Sequence, residues 1–172
     1  MSAYLHKYPA ILKRFYPRRL SKIGSGKTIF LSFDDGPIPE VTPWVLDLLS
    51  EYQAKASFFC IGENVQKHPE IFSRILKEGH SIGNHSFNHL NGWKTKISTY
   101  LENIELAEKE FQKFPEFDND KLFRPPYGKI KNSQAKALER LGYKIVMWDV
   151  ISGDFDQKIS GEKCCQISVK YT

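Results

Sequence analysis

The strongest constraint on this chain is the way two periodicities alternate along it. Residues 28–33 (Thr-Ile-Phe-Leu-Ser-Phe) and 56–60 (Ala-Ser-Phe-Phe-Cys) are β-branched and aromatic runs too short for a helix, and they read as buried strands. Residues 80–84, 121–123 and 143–148 read as further extended segments. Between them apolar residues recur at helical spacing. A helix capped by Thr42, with Pro43 in its first turn, carries Val45, Leu48, Leu49 and Tyr52. A second runs from Pro69 to Lys77 with Ile71, Phe72, Ile75 and Leu76, and Gly79 closes it. A long helix over 95–114 turns Ile97, Leu101, Ile104 and Phe111 inward, and one capped by Asn132 carries Ala135, Leu138 and Leu141. Strand and helix alternating through short connections predict a parallel α/β architecture, an open sheet or a barrel.

Charge divides the chain unevenly. The net of +5 comes from 25 basic and 20 acidic residues. Residues 1–27 hold Lys7, Lys13, Arg14, Arg18, Arg19, Lys22 and Lys27 and no acidic residue. Setting those seven aside leaves 18 basic against 20 acidic, so the basicity belongs to an N-terminal arm over 1–26 and not to the body over 27–172. Charge runs are usually solvated, so the arm is expected to be a solvated extension that ends at Gly24-Ser25-Gly26. No apolar stretch of secretory-signal type follows its charges, and none reaches the ~18 residues of a membrane span. The compartment stays open. With the net basicity confined to the arm, a nucleic-acid module is not expected. A single domain of 172 residues is expected to act as a monomer. Three cysteines, Cys60, Cys164 and Cys165, are too few for a disulfide scaffold, and Cys60 in its apolar run reads as a core residue.

In parallel α/β folds chemistry gathers at the C-terminal ends of the strands. Polar clusters fall there: Asp34-Asp35 after the first strand, His85 after the third, Arg124 after the fourth, Asp149 after the fifth. Adjacent carboxylates repel unless a cation or proton sits between them, although Asp-Gly-Pro is also strong turn chemistry. His85 and His89 are four apart, the spacing of one face of a helical turn, and imidazoles with a carboxylate suit zinc and related divalent ions. Two unrelated surface histidines would give the same spacing. Arg124-Pro125-Pro126-Tyr127-Gly128 stiffens the backbone after a strand, which presents Arg124 and the Tyr127 N–H in fixed directions. A rigid connecting loop is the alternative reading of this segment.

Taken in order, Ser32-Phe33-Asp34-Asp35-Gly36-Pro37, His85-Ser86-Phe87-Asn88-His89 and Arg124-Pro125-Pro126-Tyr127-Gly128 resemble the first three motifs of the polysaccharide deacetylase family, the NodB-homology domain or carbohydrate esterase family four. Residues 58–62 and 79–84 share that family's texture, and the resemblance spans roughly residues 27–156. It implies an irregular (β/α) barrel that removes acetyl groups from N-acetylated sugars, such as peptidoglycan or chitin-like oligomers. By the same resemblance Asp35, His85 and His89 would hold a divalent metal, zinc foremost, with cobalt or manganese compatible. Asp34 would be the general base, Arg124 would pair with it, and the Tyr127 N–H would donate to the oxyanion.

The chain also departs from the family. Residues 148–155 resemble the fourth motif with Phe155 where a Trp is usual, and Asp154 is expected to line the cleft. The fifth motif carries a histidine that protonates the leaving amine, yet no histidine follows His89. General acid–base assistance contributes about 10²–10⁴-fold, so the expectation is a barrel lacking its last strand, a fragment or an impaired enzyme. A metal-dependent amidase on a small non-sugar amide and a non-catalytic glycan-binding remnant are the alternative functions.

Overall fold

The computed structural model describes residues 5–24 and 27–172; Ser25 and Gly26, two of the three residues expected to end the arm, lie outside them. The described chain forms two compact units, residues 30–145 and residues 5–24 and 27–29 with 146–172.

The larger unit holds a parallel sheet of five short strands: β1 (Ser32–Asp34), β2 (Ser57–Cys60), β3 (Ser81–Asn84), β4 (Leu122–Phe123) and β5 (Lys144–Ile145). They lie side by side in chain order, each hydrogen-bonded to the next in sequence. Helices α2 (Val41–Glu51), α3 (Gly62–Lys67), α4 (Pro69–Lys77), α5 (Ile97–Phe111) and α6 (Asn132–Arg140) fill the connections. Sequential order without reversal is the winding of a (β/α) barrel, as expected, and not of a doubly wound sheet. Among the described residues no strand joins β5 back to β1.

Phe58, Cys60, Val65, Phe72, Ile75, Ile82, Ala107 and Phe111 bury one another between β2, β3 and the helices, with Leu46 and Leu49 of α2. Phe72 stacks on Phe111 at 5.3 Å between ring centres. Burial also pushes the Cys60 thiol up, in keeping with an inert core residue.

Several elements differ from expectation. Residues 28–31 are not strand; Ile29 and Phe30 are 64% and 61% exposed. The cause is position: β1 is the sheet edge, paired on one side only, so an apolar run there need not be buried. In α2 the inward stripe is Thr42, Leu46 and Leu49, and Leu48 and Tyr52 face solvent. Thr42 lies inside that helix, its Oγ1 accepting the Ile38 N–H at 2.8 Å. The stripe of α5 runs through Tyr100, Asn103, Ile104, Ala107, Glu108 and Phe111, with Ile97 exposed. Tyr100 fills the face Ile97 was expected to fill, and two polar residues share that face because the site beneath needs their hydrogen bonds. Helix α3, read only as the end of a strand at Gly62, packs against α5; a Cβ on Gly62 would stand 2.7 Å from the Ala107 Cα.

The smaller unit contains helices α1 (Ala10–Phe15) and α7 (Gly161–Tyr171). The Tyr8 N–H donates to the Asp149 carbonyl (2.8 Å), and the Ile151 N–H to that of His6 (2.9 Å). Lys7 and Lys13 grip the Asp149 carboxylate at 2.9 and 2.8 Å. These basic residues of the arm are therefore ion-paired, against the expectation of a solvated extension, because an acidic partner far along the chain is folded next to them.

Candidate metal centre

Register assembles the site. Ser32, Ser57 and Ser81 are aligned across β1, β2 and β3, and Asn84 is aligned with Phe123 across β3 and β4. The residues that follow these strands, Asp35, His85 and Arg124, therefore emerge at one end of the sheet. Backbone bonds lock the alignment: the His85 N–H donates to the Cys60 carbonyl (2.9 Å) and the Arg124 N–H to that of Asn84 (3.0 Å).

Asp35 Oδ1 lies 3.3 Å from His85 Nε2 and 3.1 Å from His89 Nε2. Donor atoms of the three side chains lie within 4.8 Å of one another. Hydrogen bonds from His85 and His89 hold the Asp35 carboxyl well below the ordinary carboxylate value, overcoming the opposing effect of burial. The buried His85 ring gives its Nδ1–H to the Arg124 carbonyl at 2.7 Å, which directs Nε2 toward Asp35. Two imidazole nitrogens and one carboxylate with an open side match the donor set of a catalytic divalent cation, so these residues fit a metal.

Beside this cluster the buried Arg124 gives Nη1–H to Asp34 Oδ1 (2.7 Å) and to Ser32 Oγ (2.8 Å), and its guanidinium lies 4.0 Å over the Phe59 ring. Asp34 and Asp35 thus point to different partners: one to the arginine, the other to the histidines. The adjacent carboxylates are separated in space by a left-handed backbone at Asp35 (φ 67°), whose carbonyl accepts the Asn64 side-chain amide at 2.8 Å.

The histidine pair is not on a helical turn. Residues 85–91 form a loop with left-handed φ at Ser86 (66°) and His89 (59°), which folds the two rings to 5.1 Å. Asn103, on the inward face of α5, accepts the Phe87 N–H (2.9 Å) and gives its amide to Asn88 (3.0 Å). Asn84 Oδ1 accepts the Ser86 N–H (2.9 Å), while its amide donates to Ile104 O (3.0 Å) and Glu108 Oε2 (3.3 Å). Tyr143 OH and the Asn119 amide complete the Glu108 cluster. None of Asn84, Asn103, Glu108 or Asn64 was singled out from sequence. The signal that could have found two of them is a polar residue at a core position of an apolar helical stripe, which Asn103 and Glu108 both are.

Tyr127 (φ 58°) follows Pro126 in a tight turn, its ring 4.4 Å from that of His89. Among the described residues its N–H has no acceptor, consistent with a donor presented outward. Asp34, Asp35, His85, His89, Arg124 and Tyr127 thus converge in the larger unit. Asp154 belongs to the smaller one, where its Oδ1 accepts the Ser152 hydroxyl at 2.7 Å. Asp149, expected with the polar clusters at the strand ends, also belongs to the smaller unit, where its carboxylate pairs with Lys7 and Lys13.

The sequence profile of the family described as polysaccharide deacetylase matches residues 21–146. The chain belongs to the polysaccharide deacetylase family. Among named relatives of this deacetylase-family chain, a peptidoglycan-N-acetylglucosamine deacetylase of Bacillus cereus is 43% identical over 122 residues, 71% of this chain and 56% of its own. The peptidoglycan-N-acetylmuramic acid deacetylase PdaA of Bacillus subtilis is 34% identical over 137 residues, 80% of this chain and 51% of its own. The solved structure of PdaA, described as a family 4 carbohydrate esterase, superposes with TM-score 0.83 at 27% identity, covering 97% of this chain and 75% of that one. The crystal structure of the Bc1960 peptidoglycan N-acetylglucosamine deacetylase gives TM-score 0.79 at 36% identity, covering 83% and 66%. The chain spans about half the length of these two curated relatives.

Proposed function

We propose that this chain is a metal-dependent deacetylase of N-acetylglucosamine-containing glycans, of peptidoglycan or chitin-like type. The observation that carries the reading is the divergence of two neighbouring carboxylates, Asp35 onto His85 and His89, Asp34 onto Arg124. Asp35, His85 and His89 would hold the divalent cation, zinc by preference of the donor set, with cobalt or manganese compatible. That ion supplies Lewis acidity, polarising the amide carbonyl and making water at the site easier to deprotonate.

Asp34 takes the proton from the attacking water, since it is the carboxylate left outside the ligand set. Arg124, anchored by Ser32 and the Phe59 face, fixes the direction in which Asp34 points. The Tyr127 N–H donates to the oxygen that gains charge as the carbonyl carbon becomes tetrahedral. Asp154 keeps the substrate-binding role that its likeness to the fourth motif implies. The names of the relatives, which act on N-acetylglucosamine and N-acetylmuramic acid of peptidoglycan, support this class of substrate.

The test is acetate release from an N-acetylglucosamine oligomer with zinc or cobalt added, by this chain and by a form extended at its C-terminus. Acetate that requires the metal and disappears in Asp34→Asn supports the reading. No acetate from either form while metal is bound overturns it.

A further inference from the structure

A row of side chains leads away from the Asp35–His85–His89 cluster, and its outer members, Lys129 and Trp93, have no part in the chemistry just described. The segment around Gly92 and the segment 129–134 are stitched together beside His89. The Gln134 amide donates to the carbonyls of Gly92 (2.9 Å) and Thr95 (3.2 Å), and Lys131 Nζ donates to that of Thr95 (2.8 Å). Gly92 makes this approach possible: a Cβ there would stand 2.4 Å from the Lys129 carbonyl oxygen. The contact brings Lys129 Nζ to 5.6 Å from the Trp93 ring centre and 5.7 Å from that of Tyr127. His89, Tyr127, Lys129 and Trp93 therefore follow one another outward from the cluster.

The chemistry of the row is specific. Trp93 is 61% and Tyr127 58% exposed, large aromatic faces that nothing in the core requires. Such faces cover the apolar side of a pyranose ring while their polar edges stay wet. Between them stands an ammonium with no acidic partner among the described residues. Residues 85–101 and 121–138, which build this surface, contain no Asp or Glu at all. At 5.6 and 5.7 Å the ring faces attract the ammonium, yet its N–H donors remain available for an anion. A neutral N-acetylglucosamine oligomer has no anion to offer them.

We propose that Trp93, Tyr127 and Lys129 form a subsite for an N-acetylated glycan that carries carboxylates, the sugar rings stacking on the aromatics and a carboxylate pairing with Lys129. This rests on the deacetylase reading above and narrows its substrate class from N-acetylated glycans at large to those that carry carboxylates.

The test is a binding titration of the metal-loaded chain, run alongside acetate release. The ligands are a soluble peptidoglycan fragment with free carboxylates, the same fragment with its carboxylates converted to amides, and a neutral N-acetylglucosamine tetramer. A charge-assisted hydrogen bond of ordinary strength predicts about tenfold tighter binding of the acidic fragment than of its amide. Lys129→Gln is expected to erase that preference, Lys129→Arg to keep it, and Trp93→Ala to weaken acidic and amidated fragments alike. The preference should also shrink as salt is raised. Equal affinity for the two fragments, or a preference that survives Lys129→Gln in a folded protein, overturns the subsite. The two readings fail separately. Lysine-dependent preference without acetate release from any ligand removes the deacetylase reading and leaves the subsite. Acetate release with no carboxylate preference does the reverse, and a folded, metal-loaded chain that binds no glycan overturns the subsite as well.

Discussion

Asp34 and Asp35 are neighbours of identical chemistry, and their surroundings give them different partners, Arg124 for the first and the two histidines for the second. Removing the Asp34 charge by Asp34→Asn should cut kcat for acetate release by about 10²–10⁴-fold. Metal content, measured on the purified variant, should stay at the parent level, because the proposed ligand set of Asp35, His85 and His89 does not include Asp34. Arg124→Lys tests the positioning role from the other side. A lysine cannot span Ser32 Oγ and Asp34 Oδ1 while lying flat on Phe59. It should lower kcat while leaving the positive charge in place, a split that separates geometry from charge. The left-handed backbone of Asp35, Ser86, His89 and Tyr127 belongs to this scale too. Residues with side chains rarely adopt that conformation; four of the seven that do so among the described residues lie in or beside the Asp35–His85–His89 cluster, and Glu40, Gln53 and Lys121 are the others.

Helix α5 does two jobs with one face. Tyr100, Ile104, Ala107 and Phe111 pack the core, while Asn103 and Glu108 hold the histidine loop and Asn84. Replacing Asn103 by Leu keeps the helix and removes the acceptor for Phe87 and the partner of Asn88. Metal affinity should fall about 10–100-fold, as when a supporting residue behind a ligand is lost, with the circular-dichroism spectrum unchanged. Packing between elements should be tight at the α3–α5 crossing. Gly62→Ala forces a methyl against Ala107 and the Phe87 ring, and should cost about 1–3 kcal/mol in denaturant unfolding. Phe72→Ala, which empties the centre of the core, should cost about 3–5 kcal/mol by the same measurement.

For the whole molecule, binding of a cation to the folded state alone must stabilise it. At a free metal concentration of about 100 Kd the gain is about 2.7 kcal/mol, so chelation should lower Tm, and Asp35→Ala should abolish the difference between loaded and chelated samples. The smaller unit has its own electrostatic tie. Burial works to raise the Asp149 carboxyl, and the Lys13 and Lys7 ammonium groups outweigh it, holding it below its ordinary value. A carboxyl depressed in the folded state stabilises above its unfolded pKa of about 3.9 and loses that contribution as pH falls through the folded value. Asp149→Asn should therefore flatten the acid limb of the stability–pH curve. It should also speed hydrogen exchange at the Tyr8 and Ile151 amides, the two backbone bonds beside that ion pair.

Much of this was legible from the chain alone, and the reason is that it is local. Short β-branched and aromatic runs, helical stripes and turn residues are set by neighbours in sequence, so the order of the five strands, though not the bounds of the first and last, and the helix Pro69–Lys77 could be read directly. The same holds for the ordered motifs that mark the family, and for Asp34, Asp35, His85, His89, Arg124 and Tyr127 as residues that the structure brings together. What tertiary structure decided is non-local. The edge position of β1 exposes residues that look like a buried strand, since burial depends on which neighbour lies across the sheet. The histidine spacing suggests a helical turn, yet a loop pinned by Asn84 and Asn103 brings the rings together. Lys7 and Lys13 look solvated until Asp149, more than 130 residues away, folds against them. In each case sequence specifies the group, and only the folded chain supplies the partner that gives it its role.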